Sequence, residues 1–425
     1  MTHFGLICPA SSGHLNTMLP LGKELQRRGH LVTMISLLDA QEKALAAGLE
    51  FQALNEAKYP LGSSAELLET LGKLSGMEAV KFTSDLIGEG AEALLRELPQ
   101  TLKDLGVEAL LVDQASPGAG TVADFLDIPF VSICSAVILN AEASIPPSFT
   151  TWKYRKVWWA KWRNALTYLA FKRVIRSIQT ITNEYRKKWD LPLHSTFNDS
   201  FSSLAQISQQ PAELEFPREK LPKCLHFVGP FHSAIGRNIA DFPFDKLTGQ
   251  PLIYASMGTI QNRLLDTFYK IAEACADLDA QLVISLGGSA SPDVLPNLPG
   301  SPIVVGYAPQ LELLKKATLT ITHAGMNTTL ESLNQGVPMV AIPITNDQPG
   351  VATRIAWTGA GELIPVKKLT TKKLKKAIDL VLTNPSYRAA TERLQGVIAR
   401  AGGVTRAADI VEQAVLTKKP VLAKR

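Results

Sequence analysis

Short apolar runs alternate with helix-length segments along this chain, and the alternation occurs twice. Uninterrupted apolar strands separated by helices are typical of a parallel sheet covered by helices on both faces. The sequence therefore predicts an α/β fold with two doubly wound domains. The predicted strands are Phe4–Pro9, Leu31–Ser36, Ala109–Asp113 and Phe130–Cys134 in the first half, then Leu252–Ser256, Gln281–Leu286, Ile303–Val305, Leu319–Ile321 and Met339–Ile342.

The length of 425 residues suits two or three domains at roughly 150 residues each. The hydrophobic fraction of 46% and the charged fraction of 20% are an ordinary globular balance and exclude a disordered chain. Turn residues without periodicity gather near the middle of the chain. The predicted division is an N-terminal domain 1–232, a linker 233–248, a C-terminal domain 249–405, and a C-terminal helix and tail 406–425 that returns to the first domain.

The cysteines and the apolar runs bear on where such a chain resides. The 4 cysteines lie far apart without a Cys-x-x-Cys pair, which excludes a zinc ribbon and argues against a disulfide framework. The first residues carry no basic leader region, and no run of about 18 uncharged apolar residues occurs. We therefore expect a cytoplasmic protein without a membrane span.

Positive charge is concentrated in residues 151–190. This segment has eleven Lys and Arg and two acidic residues, so the remaining residues are net acidic within the total of +5. Five of the 6 tryptophans lie there too. Basic residues interleaved with Trp and Tyr suit an anionic membrane surface, which predicts peripheral membrane contact through residues 152–176 at the inner membrane face. The alternative is an amphipathic helix packed on its own domain with its basic face in water. Nucleic acid binding is a third interpretation, which the acidic remainder of the chain disfavours.

Polar residues and glycines follow the predicted strand Leu319–Ile321. The connection at His323 contains Gly325, which permits close backbone approach, and a helix is predicted at Asn327–Leu333. A helix N-terminus has free N–H groups and the positive end of a dipole, so it binds anions. The expected guest is a phosphate or diphosphate, with the alternative that this is an ordinary α/β turn. Nearby, Glu331 suits ribose hydroxyls.

Five short sequence elements occur in a fixed order within residues 307–348. They are Ala308-Pro-Gln310, His323-x-Gly325-x-Asn327-Thr328, Glu331, Gly336-Val-Pro338 and Asp347-Gln348. Their order and spacing resemble the donor-binding signature of nucleotide-sugar-dependent glycosyltransferase family 1, the UDP-glycosyltransferase superfamily. That family includes plant secondary-product enzymes and bacterial macrolide and carotenoid enzymes. The resemblance implies a GT-B fold, in which two Rossmann-like domains face each other across a cleft and the C-terminal domain binds the nucleotide sugar.

The resemblance also implies which residues contact each part of the donor. They are Tyr307, Ala308, Gln310 and Glu331 for the base and ribose, Ser256, Thr259, His323, Gly325, Asn327 and Thr328 for the diphosphate, and Asp347 and Gln348 for the sugar. Tyr307 and Met326 stand where plant members carry Trp, and Thr345 stands where an aromatic residue is frequent. These departures bear on the donor sugar more than on the nucleotide. A glutamine at the last position of the signature, here Gln348, resembles family members that use a glucose donor.

A histidine follows the first predicted strand. Pro20 predicts that the next helix begins near Thr17 or later, which leaves His14 on a loop at the strand end. An imidazole there can act as a general base near neutral pH, and the alternative is a solvated or capping residue. Gly13-His14, with Arg28-Gly-His30 downstream, resembles the start of the same family. The resemblance implies that His14 is the catalytic base and that Asp113 orients it; a helix cap is the alternative role of Asp113.

The predicted function is inverting, metal-independent transfer of glucose from a UDP-sugar to a hydroxyl of a lipophilic acceptor, such as a carotenoid, sterol or polyketide. No cofactor is expected. The pair Asp277-Leu-Asp279 matches the Asp-x-Asp metal motif of other glycosyltransferases, but it lies away from the strand ends, so no metal site is assigned. The alternatives are a sugar-nucleotide epimerase of the same fold and a non-catalytic helper protein that activates a partner transferase.

Overall fold

The computed structural model describes residues 1–74, 76–233, 241–258, 265–288 and 290–423. Within them the N-terminal half contains the strands β1 (His3–Ile7), β2 (Leu31–Ser36), β3 (Glu50–Ala53), β4 (Ala109–Asp113), β5 (Phe130–Cys134), β6 (Gln206–Ser208) and β7 (Leu225–Phe227). They form one parallel sheet of order β3-β2-β1-β4-β5-β6-β7. Its helices are α1 (Ser12–Arg27), α2 (Gln41–Ala46), α3 (Ser63–Lys73), α4 (Met77–Leu105), α5 (Pro117–Leu126), α6 (Trp158–Val174) and α7 (Arg176–Lys188).

The described part of the C-terminal half repeats this arrangement. Its strands are β8 (Leu252–Ser256), β9 (Gln281–Ser285), β10 (Ile303–Val305), β11 (Ala317–Thr322), β12 (Met339–Ala341) and β13 (Gly361–Leu363). They form a second parallel sheet of order β10-β9-β8-β11-β12-β13. Its helices are α8 (Leu265–Cys275), α9 (Gln310–Leu314), α10 (Met326–Asn334), α11 (Gln348–Thr358), α12 (Thr371–Thr383), α13 (Pro385–Ala401) and α14 (Gly403–Thr417).

The long central strands are mostly apolar because helices cover both faces of each sheet. In β1, Phe4 and Leu6 pack into one core with α1 and α14, while Ile7 packs into a second core with α4 and α5. Every residue of β4 is buried for the same reason. The two predicted α/β domains are therefore confirmed.

The last helix packs on the N-terminal sheet. Val411 of α14 lies in the same core as Phe4. Arg28 forms ion pairs with Asp409 at 2.7 Å and with Glu412 at 2.6 Å. Beyond the helix, the backbone N–H of Val421 donates to the carbonyl of Leu204 at 2.8 Å. The chain thus ends on its first domain, and α14 begins three residues before the predicted segment 406–425.

The long predicted strands match the structure to within two residues at either end, whereas four short strands were not predicted. These are β3, β6, β7 and β13, each of three or four residues. They carry polar or small residues such as Glu50, Gln206 and Gly361, so they lack an apolar run. The predicted linker 233–248 includes 234–240, which lie outside the described residues.

The predicted start of the first helix is wrong. Helix α1 begins at Ser12 rather than near Thr17, and Pro20 lies inside it. An interior proline removes a backbone hydrogen bond and costs about 3 kcal/mol. Burial offsets this cost, because Leu15, Met18 and Leu19 of α1 are at most 1% exposed. His14 consequently lies in the first helical turn, where its N–H donates to the carbonyl of Ser11 at 3.1 Å.

None of the helices in the described residues combines the length and the apolar character that crossing a bilayer requires.

Candidate active site

A cavity of about 800 Å³ lies between the carboxyl ends of the two sheets. In parallel α/β folds this edge is where ligands bind. The residues that line it from the C-terminal domain include Ser256, Gly287, Tyr307, His323 and Asp347, which follow or end successive strands. From the N-terminal domain His14 and Ser135 line it. The fold therefore gathers most of the predicted site residues of both domains at one cavity.

His14 lines this cavity and forms a hydrogen-bonded pair with the buried Asp113 behind it. Strands β1 and β4 are neighbours in the sheet, so the first turn of α1 and the last residue of β4 lie side by side. His14 Nδ1 donates to Asp113 Oδ2 at 2.8 Å, and the His14 side chain is 23% exposed. A proton on Nδ1 leaves the lone pair of the neutral ring on Nε2. The pair can thus remove a proton from a group bound in the cavity.

The Asp113 carboxylate is held by two further donors. Its Oδ2 accepts from Ser135 Oγ at 2.5 Å, and its Oδ1 accepts from the backbone N–H of Ala115 at 2.8 Å. Asp113 is 1% exposed. A carboxylate that is fixed in this way orients the imidazole and stabilises its protonated form. Ser135 was not singled out from the sequence, because a serine after a strand carries no distinctive signal.

The pKa of His14 is raised above its ordinary value. Burial acts in the opposite direction and lowers the pKa, but the carboxylates of Asp113 and Asp347 together outweigh it. Burial raises the pKa of Asp347. The hydrogen bond from the Val137 N–H and the charge of His14 lower this pKa, but burial outweighs them. The imidazole is therefore a stronger base than a histidine in water.

On the donor side, the His323 ring fits between two glycines. A Cβ at Gly258 would lie 2.5 Å from His323 Cε1, and a Cβ at Gly325 would lie 2.5 Å from Nε2. Gly258 also has a φ of +77°. Burial lowers the pKa of His323 to about 4, so the ring is neutral near pH 7. Ser256 Oγ accepts from the N–H of Gly258 at 3.3 Å, and Thr259 lies outside the described residues.

The N-terminus of α10 faces the cavity. The N–H groups of Met326 to Thr328 lack an intrahelical acceptor because they lie in the first turn. The N-cap residue, Gly325, has no side chain to accept from them. The helix dipole adds about half a positive charge at this end. Thr328 lines the cavity beside it. This end of α10 has the electrostatics of an anion site.

The side chain of Asn327 lines the cavity and forms hydrogen bonds across it. Its Nδ2 donates to the carbonyl of Gly13 at 2.9 Å, and its Oδ1 accepts from Gln209 Nε2 at 2.9 Å. Both partners belong to the N-terminal domain. In this structure the amide bridges the two domains. Gln209 was missed because a glutamine after a short, unpredicted strand gives no signal in the sequence.

Four polar side chains form a network at the predicted ribose position. Gln310 Nε2 donates to Glu331 Oε2 at 2.5 Å and to Thr328 Oγ1 at 3.3 Å. Gln310 Oε1 accepts from Tyr254 Oη at 3.1 Å. Tyr254 was not predicted; its position in the middle of an apolar strand is the signal, because a buried tyrosine hydroxyl needs a partner. The network places carboxylate and amide groups side by side, as hydroxyl recognition requires.

Tyr307 and Ala308 lie after β10, next to the glycine-rich end of β9. Tyr307 lines the cavity, and a Cβ at Gly288 would lie 3.4 Å from its Cδ2. Ala308 is 4% exposed. A flat ring beside a glycine turn leaves room for a planar group. The position is consistent with the predicted stacking on a base.

Asp347 and Gln348 lie at the start of α11. The backbone N–H of Val137 in the N-terminal domain donates to Asp347 Oδ2 at 3.3 Å. Gln348 Oε1 accepts from the N–H groups of Ile344 and Thr345 at 2.9 and 3.1 Å. The side-chain oxygen of Gln348 thus accepts from the loop that precedes α11, while the side-chain NH₂ is left for a ligand.

The remaining wall of the cavity is mostly apolar. Helices α3, α4 and α6 contribute it, together with the turn after α6, through residues such as Leu67, Leu71, Ile87, Phe171 and Ile175. Sequence patterns did not identify this wall, because the helices that build it are distant along the chain. A cavity with polar groups at one end and an apolar wall at the other suits a lipophilic molecule with a hydroxyl group.

The two aspartates of the discounted metal motif lie apart from this cavity. Asp277 forms an ion pair with Lys375 at 2.9 Å, and Asp279 accepts from Gln250 at 2.9 Å. Within the described residues there is no group of three or more His, Cys, Asp or Glu side chains arranged to hold a metal ion.

Comparison with known proteins gives the family. The family model for "UDP-glucoronosyl and UDP-glucosyl transferase" matches residues 6–398. The zeaxanthin glucosyltransferase of Pantoea ananas is 32% identical over 425 residues, which cover 100% of this chain and 98% of that protein. The zeaxanthin glucosyltransferase of Pseudescherichia vulneris is 31% identical over 432 residues, which cover 99% of this chain and 100% of that protein.

The fold has solved relatives as well. The crystal structure of CalG4, the calicheamicin glycosyltransferase, superposes with a TM-score of 0.75 at 21% identity, covering 99% of this chain and 100% of that one. Together with the family match, this likeness establishes a GT-B fold for the two facing α/β domains. The chain therefore belongs to the UDP-glucoronosyl and UDP-glucosyl transferase family, and it is a UDP-glycosyltransferase.

Proposed function

We propose that this protein transfers glucose from UDP-glucose to a hydroxyl group of a lipophilic acceptor, and that the acceptor is a hydroxylated carotenoid. The observation that carries the proposal is the His14–Asp113 pair at 2.8 Å, between an apolar wall and the N-terminus of α10. Two relatives that match along their whole length are named zeaxanthin glucosyltransferases. Glucose is proposed as the donor sugar because Gln348 resembles the residue at this position in family members that use glucose.

In the proposed mechanism, His14 Nε2 takes the proton from the acceptor hydroxyl. The acceptor oxygen forms a bond to the anomeric carbon of glucose from the side opposite to UDP. The bond between that carbon and the diphosphate oxygen breaks, and UDP leaves with the electron pair. Attack from the opposite side inverts the anomeric configuration. The transition state has oxocarbenium character, as in other glycosyl transfers.

Negative charge develops on the departing diphosphate. In the proposal the N–H groups at the start of α10 stabilise this charge, with His323 and Thr328 as neutral partners. Fixed dipoles aimed at a developing charge lower the barrier without reorganisation. We accordingly propose a reaction that needs neither a metal ion nor another cofactor.

The donor residues keep the predicted roles in this proposal. Tyr307 and Ala308 hold the base, Gln310 and Glu331 hold the ribose, and Asp347 and Gln348 hold the glucose hydroxyls. Asn327 serves by fixing α10 against the N-terminal domain, in addition to its predicted phosphate contact. The family and its named relatives are transferases, so an epimerase or a helper protein is not favoured.

Contact with a membrane completes the proposal. A lipophilic acceptor resides in a bilayer, so we propose that a cytoplasmic enzyme of this kind works at the membrane face through residues 152–176. The basic residues and tryptophans of this segment support it.

The test is an assay of the purified protein with detergent-dispersed dihydroxy carotenoid. UDP-glucose, UDP-galactose and dTDP-glucose serve as competing donors. The proposal expects a product that gains one hexose from UDP-glucose, with the β-configuration at the new anomeric centre. Chelation of divalent cations should leave the rate unchanged. Transfer from dTDP-glucose alone would contradict UDP-glucose as the donor. Retention of the α-configuration in the product would contradict the inverting mechanism.

A further inference from the structure

Helix α6 carries a stripe of large apolar side chains that face away from the protein. Trp158, Trp162, Leu166 and Leu169 are 74%, 65%, 61% and 60% exposed. Their spacings of four, four and three residues place them on one side of a helix with 3.6 residues per turn. Large apolar side chains are exposed singly on most proteins, but a contiguous row indicates a binding surface. We call these four residues the outer stripe.

The opposite side of the same helix faces the protein interior. Ala160 and Asn164 are each 1% exposed, and Asn164 Nδ2 donates to the carbonyl of Ala143 at 3.0 Å. The Phe171 ring packs against Phe149 with centroids 4.7 Å apart. Tyr168 and Phe171 line the active-site cavity. Helix α6 is therefore a wall with the cavity on one side and the outer stripe on the other.

Basic side chains flank the outer stripe at both ends. Lys153, Arg155 and Lys156 are exposed before the helix, and Arg173 and Arg176 are exposed at its C-terminal end. Next to the stripe, Lys161 forms an ion pair with Glu219 at 2.6 Å. The outward face of α6 is thus largely apolar, and the exposed cations lie before the helix and at its C-terminal end.

This pattern fits the surface of an anionic bilayer. Tryptophan prefers the interface between headgroups and acyl chains, leucine the acyl side, and Lys and Arg the anionic headgroups. A second copy of the chain fits less well, because a twofold contact through the stripe would bring two clusters of cations together.

We propose that the outer stripe of α6 docks on an anionic bilayer, so that the acceptor passes from the leaflet around α6 into the cavity without crossing water. The inference rests on the proposed lipophilic acceptor. It assigns the docking to four residues and makes α6 the element that separates the lipid from the reaction site.

The test compares flotation with phosphatidylglycerol-containing vesicles and with pure phosphatidylcholine vesicles. The wild-type protein is expected to float with the anionic vesicles, and Trp158→Ser/Trp162→Ser should reduce the bound fraction about tenfold or more. Lys153→Glu/Lys156→Glu should weaken binding to anionic vesicles by a similar factor and reduce its salt dependence, because Arg155, Arg173 and Arg176 remain. The control is Leu416→Ser on α14, an exposed apolar residue outside the stripe at 86% exposure, which should float like the wild type.

Turnover separates this inference from the proposed function. With acceptor embedded in anionic vesicles, the double tryptophan variant should lose activity about as much as it loses binding. With detergent-dispersed acceptor it should match the wild type, because the substituted side chains are outside the cavity. Equal vesicle turnover and flotation of variant and wild type would overturn the docking surface. A dimer in size-exclusion chromatography that the double variant converts to a monomer, without flotation of the wild type, would also overturn it. Absence of transfer in detergent by the wild type would instead overturn the proposed function.

Discussion

The side-chain amide of Asn327 donates to the backbone carbonyl of Gly13 at 2.9 Å, although the two residues are 314 positions apart in the chain. One partner lies in the first turn of helix α10, and the other immediately precedes His14. Gln209 extends the connection, because its Nε2 donates both to Asn327 Oδ1 at 2.9 Å and to the carbonyl of Ser135 at 2.7 Å. Ser135 in turn donates to Asp113. One hydrogen-bond chain thus joins the donor side to the proposed base.

Gln209→Glu should weaken catalysis without unfolding the protein. A carboxylate of the same size cannot donate to the Ser135 carbonyl or to Asn327, so both acceptors lose a partner in a buried site. We expect kcat/KM for UDP-glucose to fall about tenfold or more, since each unsatisfied buried group costs about 1–3 kcal/mol. The control is Gln26→Glu, whose Nε2 bonds the Gly48 carbonyl at an exposed position. Equal kinetics for the two variants would refute the coupling.

The pH profile should report the raised pKa of His14. The base must be neutral, so kcat/KM is expected to fall as the pH drops through a value above the ordinary 6.5. Asp113→Asn removes a charge that raises this pKa, so it should move the acid limb to lower pH as well as slow the reaction. An acid limb that stays in place in Asp113→Asn would contradict the assignment.

The same shift has a consequence for stability. A histidine with a raised pKa in the folded state stabilises the fold in its protonated form. This contribution is fully present below the unfolded pKa of about 6.5, and it is lost as the pH rises through the folded pKa.

Gly258→Ala should damage the proposed diphosphate site. The added Cβ would lie 2.5 Å from the His323 ring, at a backbone φ of +77° that residues with a Cβ rarely adopt. The left-handed conformation alone costs about 1–2 kcal/mol. We expect a lower Tm and weaker UDP binding in a calorimetric titration. Gly396→Ala, in the middle of α13, serves as a control and should raise the Tm slightly. Unchanged UDP affinity in Gly258→Ala would show that the His323 position is not needed.

The two domains share a buried ion pair whose loss should be costly. Arg354 on α11 pairs with Glu215 at 2.6 Å, and the two side chains are 1% and 3% exposed. The pKa of Glu215 is lowered, because Arg354 and Arg218 outweigh the effect of burial. Arg354→Met leaves Glu215 with Arg218 at 3.5 Å as its remaining cation and with the hydrogen bond from Gln210 at 2.9 Å. The change should cost about 3 kcal/mol in urea denaturation, the lower end of the range for a broken buried pair, because Arg218 still compensates the charge.

The exposed pair of Lys375 and Asp277 provides the matched comparison. Its geometry is similar at 2.9 Å, but the side chains are 40% and 78% exposed. Lys375→Met should therefore cost less than about 1 kcal/mol. A similar loss for both variants would mean that burial of the Arg354 pair contributes nothing to stability.

The sequence predicts the two-domain fold well because long apolar strands such as Leu252–Ser256 and Phe130–Cys134 give an unmistakable pattern. It also places His14 and Asp113 after two strand ends, whereas their pairing is implied only by the family resemblance. What it misses depends on contacts between distant segments. The short strand Gln206–Ser208 is held by pairing with its neighbours rather than by its own propensity. Helix α1 starts early because tertiary burial outweighs the effect of Pro20.

The site follows the same division. Residues that recur in a fixed order, such as His323, Gly325 and Glu331, are identified from one segment alone. The bridging role of Asn327 and the positions of Gln209 and Tyr254 depend on how segments meet in space. The apolar wall and the outer stripe of α6 likewise become visible only when burial is known, because the composition of residues 151–190 does not show which face points outward.

The central claim is that His14 is the base that activates the acceptor hydroxyl, and His14→Ala tests it most directly. Turnover of UDP-glucose and detergent-dispersed acceptor is measured beside the Tm shift caused by UDP, with His30→Ala as the control. The account predicts a loss in kcat of about 10²–10⁴ for His14→Ala with an unchanged UDP-induced Tm shift, because the donor site lies in the other domain. Near-normal turnover of His14→Ala would contradict the account.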